Sequence, residues 1–541
     1  MIDILLVQPP IQDFYLTAKR TIPYGLASIA AACQAAGFTV EILDAMATSR
    51  SRNIEWPEGM EYLRTFYGRE DRSPFALFHR FRHYGFSFEH VGRLAKQSGA
   101  FLVGISSLFT PYSGEALETA ERIKAALPTC RIVMGGHHPT EMPERVIQCP
   151  SVDFVIRGDG EIALPLLAIA LEKGQSPEGI PGIVYREIGG AVIASEPHRL
   201  DRLSDMPLPA TDLICQSFYR RGRKRSAVIV ASRGCPGRCS YCCMRRSPGR
   251  PYIRRPIGSV LAEIERAVTR DNAGFIDFED ENLSLDRPWF LALLHELVIR
   301  FDGSGLEMRA MNGLFPPSID YEVAAAMAAA GFKALNLSLG SSCPSQLKRF
   351  QRPDVRESFD SALAAAQKYS LQAVGYVLAG APGQSAESSV ADLIYLAQRR
   401  VLTGVSIYYP APGSPDYQKC RKLGLLPHNL ALMRSSALPI DQTTSRLQAA
   451  TLLRLGRISN FMKSLLDQKI RIPAAQTFTP GKVLDPGNRM AVGLKLLEWF
   501  LHDGEIRGIS SDGKVYRHNA DSKLSRKFLD GLGKITLQGC R

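Results

Sequence analysis

Short apolar runs punctuate the first third of the chain, at Ile2–Val7, Val40–Leu43, Phe101–Ser106, Arg131–Met134 and Phe154–Ile156. Each has the length of a strand buried on both faces. Helical periodicity returns between them, as in Gly25–Ala36 and Ser113–Ala126. Alternating strand and helix predicts an α/β fold with a doubly wound parallel sheet, whose ligands sit beyond the carboxyl ends of the strands. The loops at those ends are "QPPIQDFYLTAKRTIPYG", "SSLFTPYSG", "GGHHPTEMPE" and "RGDGE". They are rich in Gly, Pro and hydroxyls, which suits close backbone approach to a ligand. No G-x-G-x-x-G follows the first strand, so a dinucleotide site is a poor reading. Residues 47–97 break the rhythm with ten aromatics, among them Trp56, Tyr67, Phe75 and Phe81. A segment of that length is either a small satellite core or a lid in contact with substrate.

Alternation resumes in the middle of the chain. Strand-like runs follow at Ala227–Ala231, Phe275–Phe278, Glu307–Ala310, Leu335–Leu339, Ala373–Ala379 and Gly404–Tyr408. From residue 421 the pattern turns helical and amphipathic, in "TTSRLQAATLLRLGRISNFMKSLLDQ" and "MAVGLKLLEWFLHDG", and ends in a polar, basic tail. No catalytic constellation is visible there.

At 541 residues the chain is too long for one core, and two or three domains are expected. A composition 45% hydrophobic and 22% charged is that of a soluble globular protein. No run reaches the roughly 18 apolar residues of a membrane helix. The opening residues lack a basic region and a small-residue cleavage site, so a cytoplasmic location is expected. Eleven cysteines in such a length do not make a disulfide scaffold. The net charge is +13, and twelve Lys and Arg with no Asp or Glu fall between Arg220 and Arg255. A solvated loop, a nucleic-acid surface and a site for an anion or an acidic electron donor all fit such a run. Few aromatics accompany it, Tyr241 and Tyr252 among them, which argues against stacked bases, and no nucleic-acid partner is expected.

Within this basic run lies "RGCPGRCSYCCM", residues 233–244. Cys235, Cys239 and Cys242 follow a C-x3-C-x2-C spacing, and Gly234, Pro236 and Gly237 allow the backbone to loop around a common centre. Soft thiolates select iron–sulfur clusters or zinc. A structural zinc site wants four closed ligands, usually from two Cys-x-x-Cys pairs, and the chain has no second pair. Cys243 cannot easily point to the same centre as its neighbour Cys242. Three thiolates on a four-iron cluster leave one iron open.

These motifs resemble the cobalamin-dependent radical S-adenosylmethionine (SAM) enzymes, of the class B methyltransferase type. The N-terminal likeness rests on "PYGLASIAAACQAAGFTVEILDA", "VGIS", "GGHHPT" and "VDFVIRGDGE", over residues 1–190. It implies a cobalamin-binding domain with Ser106, Ser107, Gly135, Gly136, His138, Gly158, Gly160 and Glu161 at the cofactor. The family's Asp-x-His-x-x-Gly is absent after the first strand, so cobalamin is expected with no histidine on cobalt. His138 is expected to line the pocket and His137 to face solvent. After a linker at 191–221, the second likeness covers 222–420. It implies a partial (β/α)6 barrel, with Cys235, Cys239 and Cys242 on a [4Fe–4S] cluster whose open iron takes SAM. It also places Tyr241, Asp280, Glu281, Ser341 and Gly380 at SAM. Gly340 stands where the family usually has glutamate. Residues 421–541 would be a mainly helical cap that sets substrate choice.

The activity implied is transfer of a methyl group from SAM, through methylcobalamin, to an unactivated carbon or a phosphorus. The substrate could be a small molecule, lipid, tetrapyrrole or peptide. No catalytic acid or base is assigned. Arg233, Arg238, Arg245 and Arg246, at the centre of the basic run, either form a solvated surface or serve to neutralise the cluster and the SAM carboxylate, to hold an anionic substrate, or to dock an acidic electron donor such as flavodoxin or ferredoxin. Non-methylating cyclisation or rearrangement with the same cofactors is the alternative. A cluster-bearing regulatory or nucleic-acid-binding protein is a remote one.

Overall fold

The computed structural model describes residues 2–16, 22–187, 189–215, 217–245 and 252–536. The N-terminal sheet has seven strands. Five are parallel, in the order Val40–Asp44, Ile4–Gln8, Leu102–Ser106, Arg131–Gly135 and Phe154–Ile156. Ile183–Arg186 and Val192–Ala194 extend it antiparallel. Helices Tyr24–Ala35 and Gly160–Glu172 pack together on one face, where Leu26, Ala30 and Leu164 are buried. Phe88–Ser98 and Ser113–Ala126 cover the other through Val91, Ala95 and Ala120. The order reverses between the first strand and Leu102–Ser106, because the chain steps to one side of the first strand and then to the other. The carboxyl ends of those two strands therefore diverge into a crevice.

Two sequence boundaries shift. The sheet runs on to Ala194, inside the expected linker. The helix Phe88–Ser98, counted with the aromatic insertion, is a layer of the doubly wound domain. What remains of the insertion forms a three-stranded sheet, in which Arg82–Tyr84 pairs with both Ile11–Asp13 and Ser51–Asn53.

Six parallel strands make the second domain. Lys224–Ile229, Ala273–Phe278 and Glu307–Ala310 pair in sequence, as do Ala334–Gly340, Gln372–Ala379 and Leu402–Ile407. Single bridges Met308–Phe332 and Leu314–Leu337 join the two sets into one arc. Intervening helices start at side-chain caps: Asp286 accepts from Trp289 N, Asp320 from Val323 N and Ser385 from Ser388 N. This is the partial (β/α)6 barrel the sequence implied.

The C-terminal region is mainly helical. Its longest helix, Arg446–Asp467, opens on a Ser445/Gln448 capping box and lies along the sixth barrel strand. Asn460 exchanges two hydrogen bonds with the backbone of Thr403, at 2.7 and 2.9 Å, and so satisfies groups on the strand's free edge. Insertion, barrel and cap share one core, in which Tyr67, Phe75 and Phe81 join Phe461, Leu497 and Trp499. Among the described residues no helix is long and apolar enough to cross a membrane.

Candidate functional site

The crevice of the N-terminal sheet faces the carboxyl ends of the barrel strands, and a cavity of about 440 Å³ lies between them. Ser106, Gly135, Gly136, Gly158, Gly160 and Glu161 line it from one side. Arg233, Met244, Glu279, Glu281 and Asn312 line it from the barrel. Two of the glycines are obligatory. At Gly136 (φ +118°) a Cβ would lie 2.6 Å from Ser107 O, and at Gly158 (φ +91°) 1.8 Å from His198 O. Ser107 anchors this wall through a 2.8 Å bond from its N–H to Gly135 O. Its hydroxyl is buried without a protein partner. That hydroxyl opens on the adjoining cavity rather than on this one; what fits a large cofactor such as cobalamin here is a hollow walled by glycine backbone.

The two histidines are placed differently from what was expected: neither faces solvent, and only His137 lines the cavity. His138 is buried, with Nδ1 3.2 Å from Thr110 Oγ1, and is absent from the cavity wall. Burial, aided by Arg145, pushes its pKa down to about 4. His137 lines the cavity instead. The cause is local: the short helix His137–Glu141 turns successive side chains to different sides.

The cysteine loop follows the first barrel strand. Ser240 pins it, donating its N–H to Phe350 O at 2.8 Å and its hydroxyl to Asp416 Oδ2 at 3.0 Å. Tyr241 packs edge-on against Phe350, with ring centroids 5.2 Å apart. Burial, reinforced by the neighbouring Cys243, Cys239 and Cys235, pushes the Cys242 thiol up to about 12. Among the described residues no trio of His, Cys, Asp or Glu is drawn in tightly enough for a single metal ion. Thiolates on separate irons of a cube stand farther apart than the ligands of one ion, so three cysteines on one glycine-bearing loop suit a cluster. A second cavity, about 510 Å³, adjoins the first and is lined by Tyr241, Met311, Asn312, Ser338, Gly340 and Tyr376, among others.

Arg352 was not singled out from sequence. Its guanidinium is half-buried, with Nη1 3.8 Å from Cys239 Sγ and 3.4 Å from the Tyr241 hydroxyl. The same side chain donates to Ser338 Oγ at 3.1 Å and to Leu339 O at 3.3 Å. It fills the place where a Cβ at Gly340 would meet Arg352 Cδ at 3.0 Å. The signal was present in "LKRFQRP", but one arginine among many has no sequence mark of burial.

Asp280, Ser341 and Gly380, expected at SAM, line neither cavity. Asp280 is fully buried, accepting from Ser232 Oγ at 2.5 Å and from Ala231 N at 3.2 Å. It braces the start of the cysteine loop, and burial raises its pKa to about 7. Ser341 donates to Asp392 at 3.0 Å inside the barrel wall. Gly380 (φ +78°) packs toward Ile407 and Thr444 and lines neither cavity. Glu281 does line the first cavity, and its Oε2 accepts from Gly234 N at 3.1 Å. Arg233 is not a solvated residue of the basic run. It is half-buried in an ion pair with Glu161 and lies 3.4 Å from Asp159, both of the N-terminal domain. Arg238 is exposed; Arg246 lies outside the described residues.

Known proteins share this plan. Residues 77–168 match the B12 binding domain and residues 229–394 the Radical SAM superfamily. A methyltransferase of Pyrococcus horikoshii, itself uncharacterized, is 25% identical over 61% of this chain and 71% of its own. The cytidylyl-2-hydroxyethylphosphonate methyltransferase of Streptomyces wedmorensis is 24% identical over 80% of this chain and 84% of its own. The fold is also that of the radical SAM methyltransferase TsrM from Kitasatospora setae, solved with cobalamin and a [4Fe–4S] cluster bound. The TM-score is 0.60 at 20% identity, over 78% of each chain.

Proposed function

We infer that this chain, a B12-binding domain joined to a radical SAM domain and thus one of the cobalamin-dependent radical SAM enzymes, transfers a methyl group from SAM to an unactivated carbon or phosphorus of its substrate. When bound, the cluster with SAM supplies an adenosyl radical, and cobalamin supplies the methyl carrier. One observation carries the reading: the wall of Gly135, Gly158 and Ser106 and the wall of Arg233, Met244 and Glu281 belong to the same cavity. A radical centre and a methyl carrier act on one substrate atom only if they share a water-poor space.

Each residue then has a part. Cys235, Cys239 and Cys242 would hold the cluster, and Arg352 would offset charge beside Cys239. Tyr241 walls the substrate side, and Glu281 fixes the loop through Gly234 N. The wall of Ser106, Gly135, Gly136 and Gly158 would receive cobalamin. A reductant is required by this chemistry. The exposed Arg220, Arg221, Arg223 and Arg238 suit an acidic flavodoxin or ferredoxin.

The test is product stoichiometry in the anaerobically reconstituted enzyme. Methyl transfer makes S-adenosylhomocysteine in step with product and 5′-deoxyadenosine. 5′-Deoxyadenosine without S-adenosylhomocysteine would replace methyl transfer by cyclisation or rearrangement.

A further inference from the structure

A third cavity, about 720 Å³, lies where the aromatic insertion, the sixth barrel strand and the helix Arg446–Asp467 meet. It adjoins the cavity beside Tyr241, and the two share Tyr15, Val405, Ser435 and Ser436 in their walls. A molecule could therefore lie across both, with one end near the cysteine loop and the other under the insertion.

The outer wall has a definite chemistry. It presents Arg80, Arg82, Arg457 and His79, and no Asp or Glu is among the described residues that line it. Arg80 is partly engaged, 4.0 Å from Glu70. Arg457 has a second cation, Arg489, and the Tyr15 phenol as its charged or titratable neighbours. Among lining residues, His79 Nε2, Arg82 Nε and Thr403 Oγ1 are buried with no hydrogen-bond partner. Unpaired donors and like charges at a wall are costs that a bound oxyanion would relieve. Beside the cations stand apolar surfaces, including Tyr15 and Phe78, stacked with centroids 4.9 Å apart and an interplanar angle of 12°. Guanidinium forks match planar or tetrahedral oxyanions, and a cleft lined by one sign of charge concentrates ligands of the other.

We propose that this outer cavity binds an oxyanion, a phosphoryl or carboxylate group, on a substrate whose apolar part lies against Tyr15 and Phe78 and whose reacting atom reaches the cavity beside Tyr241. The proposal rests on the methyl-transfer reading for what happens at the inner end, but not for the anion itself.

The experiment is calorimetry on the full chain, reconstituted with cluster and cobalamin, using phenylphosphonate, benzoate and benzyl alcohol as probes. At least one of the two anions binds about tenfold tighter than benzyl alcohol or better, as charge-assisted hydrogen bonds require. Preference for the phosphonate assigns a phosphoryl group, and preference for benzoate a carboxylate. Arg82→Gln and Arg457→Gln each weaken the favoured anion about tenfold and leave benzyl alcohol unchanged, while Arg457→Lys, which keeps the charge but loses the fork, weakens it less than Arg457→Gln. Iron and cobalamin contents equal to wild type show that each variant is intact. Equal affinity for anions and alcohol, or glutamine variants that discriminate as well as wild type, would overturn the proposal. Discrimination without cobalamin in the reconstituted protein would instead sink the methyl-transfer reading and leave the anion site standing.

Discussion

Cys243 stands one residue past Cys242, at the start of the turn Cys243–Arg245, and this decides how the four clustered cysteines divide. Neighbouring side chains of a tight turn diverge, so only one of the pair can share a centre with Cys235 and Cys239. Cys235→Ala, Cys239→Ala or Cys242→Ala should each abolish SAM cleavage and lower bound iron several-fold, whereas Cys243→Ala should retain the iron of wild type. Loss of the cluster in Cys243→Ala would reassign the ligands. His138 makes a prediction of a different kind. Its folded pKa, about 4, is below the ordinary value of 6.5, so the unfolded chain binds the extra proton first. Its contribution to stability is fully present above pH 6.5 and is lost as pH falls toward 4, by about 3 kcal/mol at 1.36 kcal/mol per unit. Denaturation midpoints of wild type and His138→Gln between pH 7.5 and 4.5 measure it. A wild type that loses no more than His138→Gln over that range would refute it. The cysteine spacing was legible in the sequence because it is local. The burial of His138 rather than His137 was not, because one helical turn decides it.

At the scale of elements, the aromatic insertion is neither an independent satellite nor a loose lid. Arg454, on the long C-terminal helix, donates to Phe75 O at 3.2 Å and Phe66 O at 3.0 Å. It faces Asp71 at 3.9 Å, and Asp71 holds His518 Nε2 at 2.8 Å. Arg454 and Asp71 are each 4% exposed, so the clamp is buried, and removing one partner strands the other. Arg454→Met should cost about 3–5 kcal/mol, read as a lowered denaturation midpoint. Arg454→Met combined with Asp71→Leu should recover much of that loss. A cost below about 1 kcal/mol for the single variant would mean that apolar packing alone fixes the insertion. The strands and helices of both α/β units were readable because their periodicity is written in consecutive residues. The clamp was not, since residues 71, 454 and 518 meet only in the fold.

At the scale of the whole molecule, two α/β units are pressed together carboxyl end to carboxyl end. Arg233 pairs with Glu161 and Asp159 across that contact, and Arg255 with Glu263 beneath Tyr24 of the first helix. Part of what looked from composition like a basic surface is therefore internal wiring between domains. The sequence by itself determined the order of strands and helices, the cysteine loop and the glycine turns, because each depends on residues near one another along the chain. It also determined which cofactors the motifs call for. Only the tertiary structure decided that Asp280, Ser341 and Gly380 brace the barrel rather than face a cavity. Only there does Arg352 reach Cys239, and only there do the insertion and the cap close around a cationic hollow. These depend on where segments hundreds of residues apart come to rest, and on which polar groups are left buried when they do. Local periodicity carries no information about either.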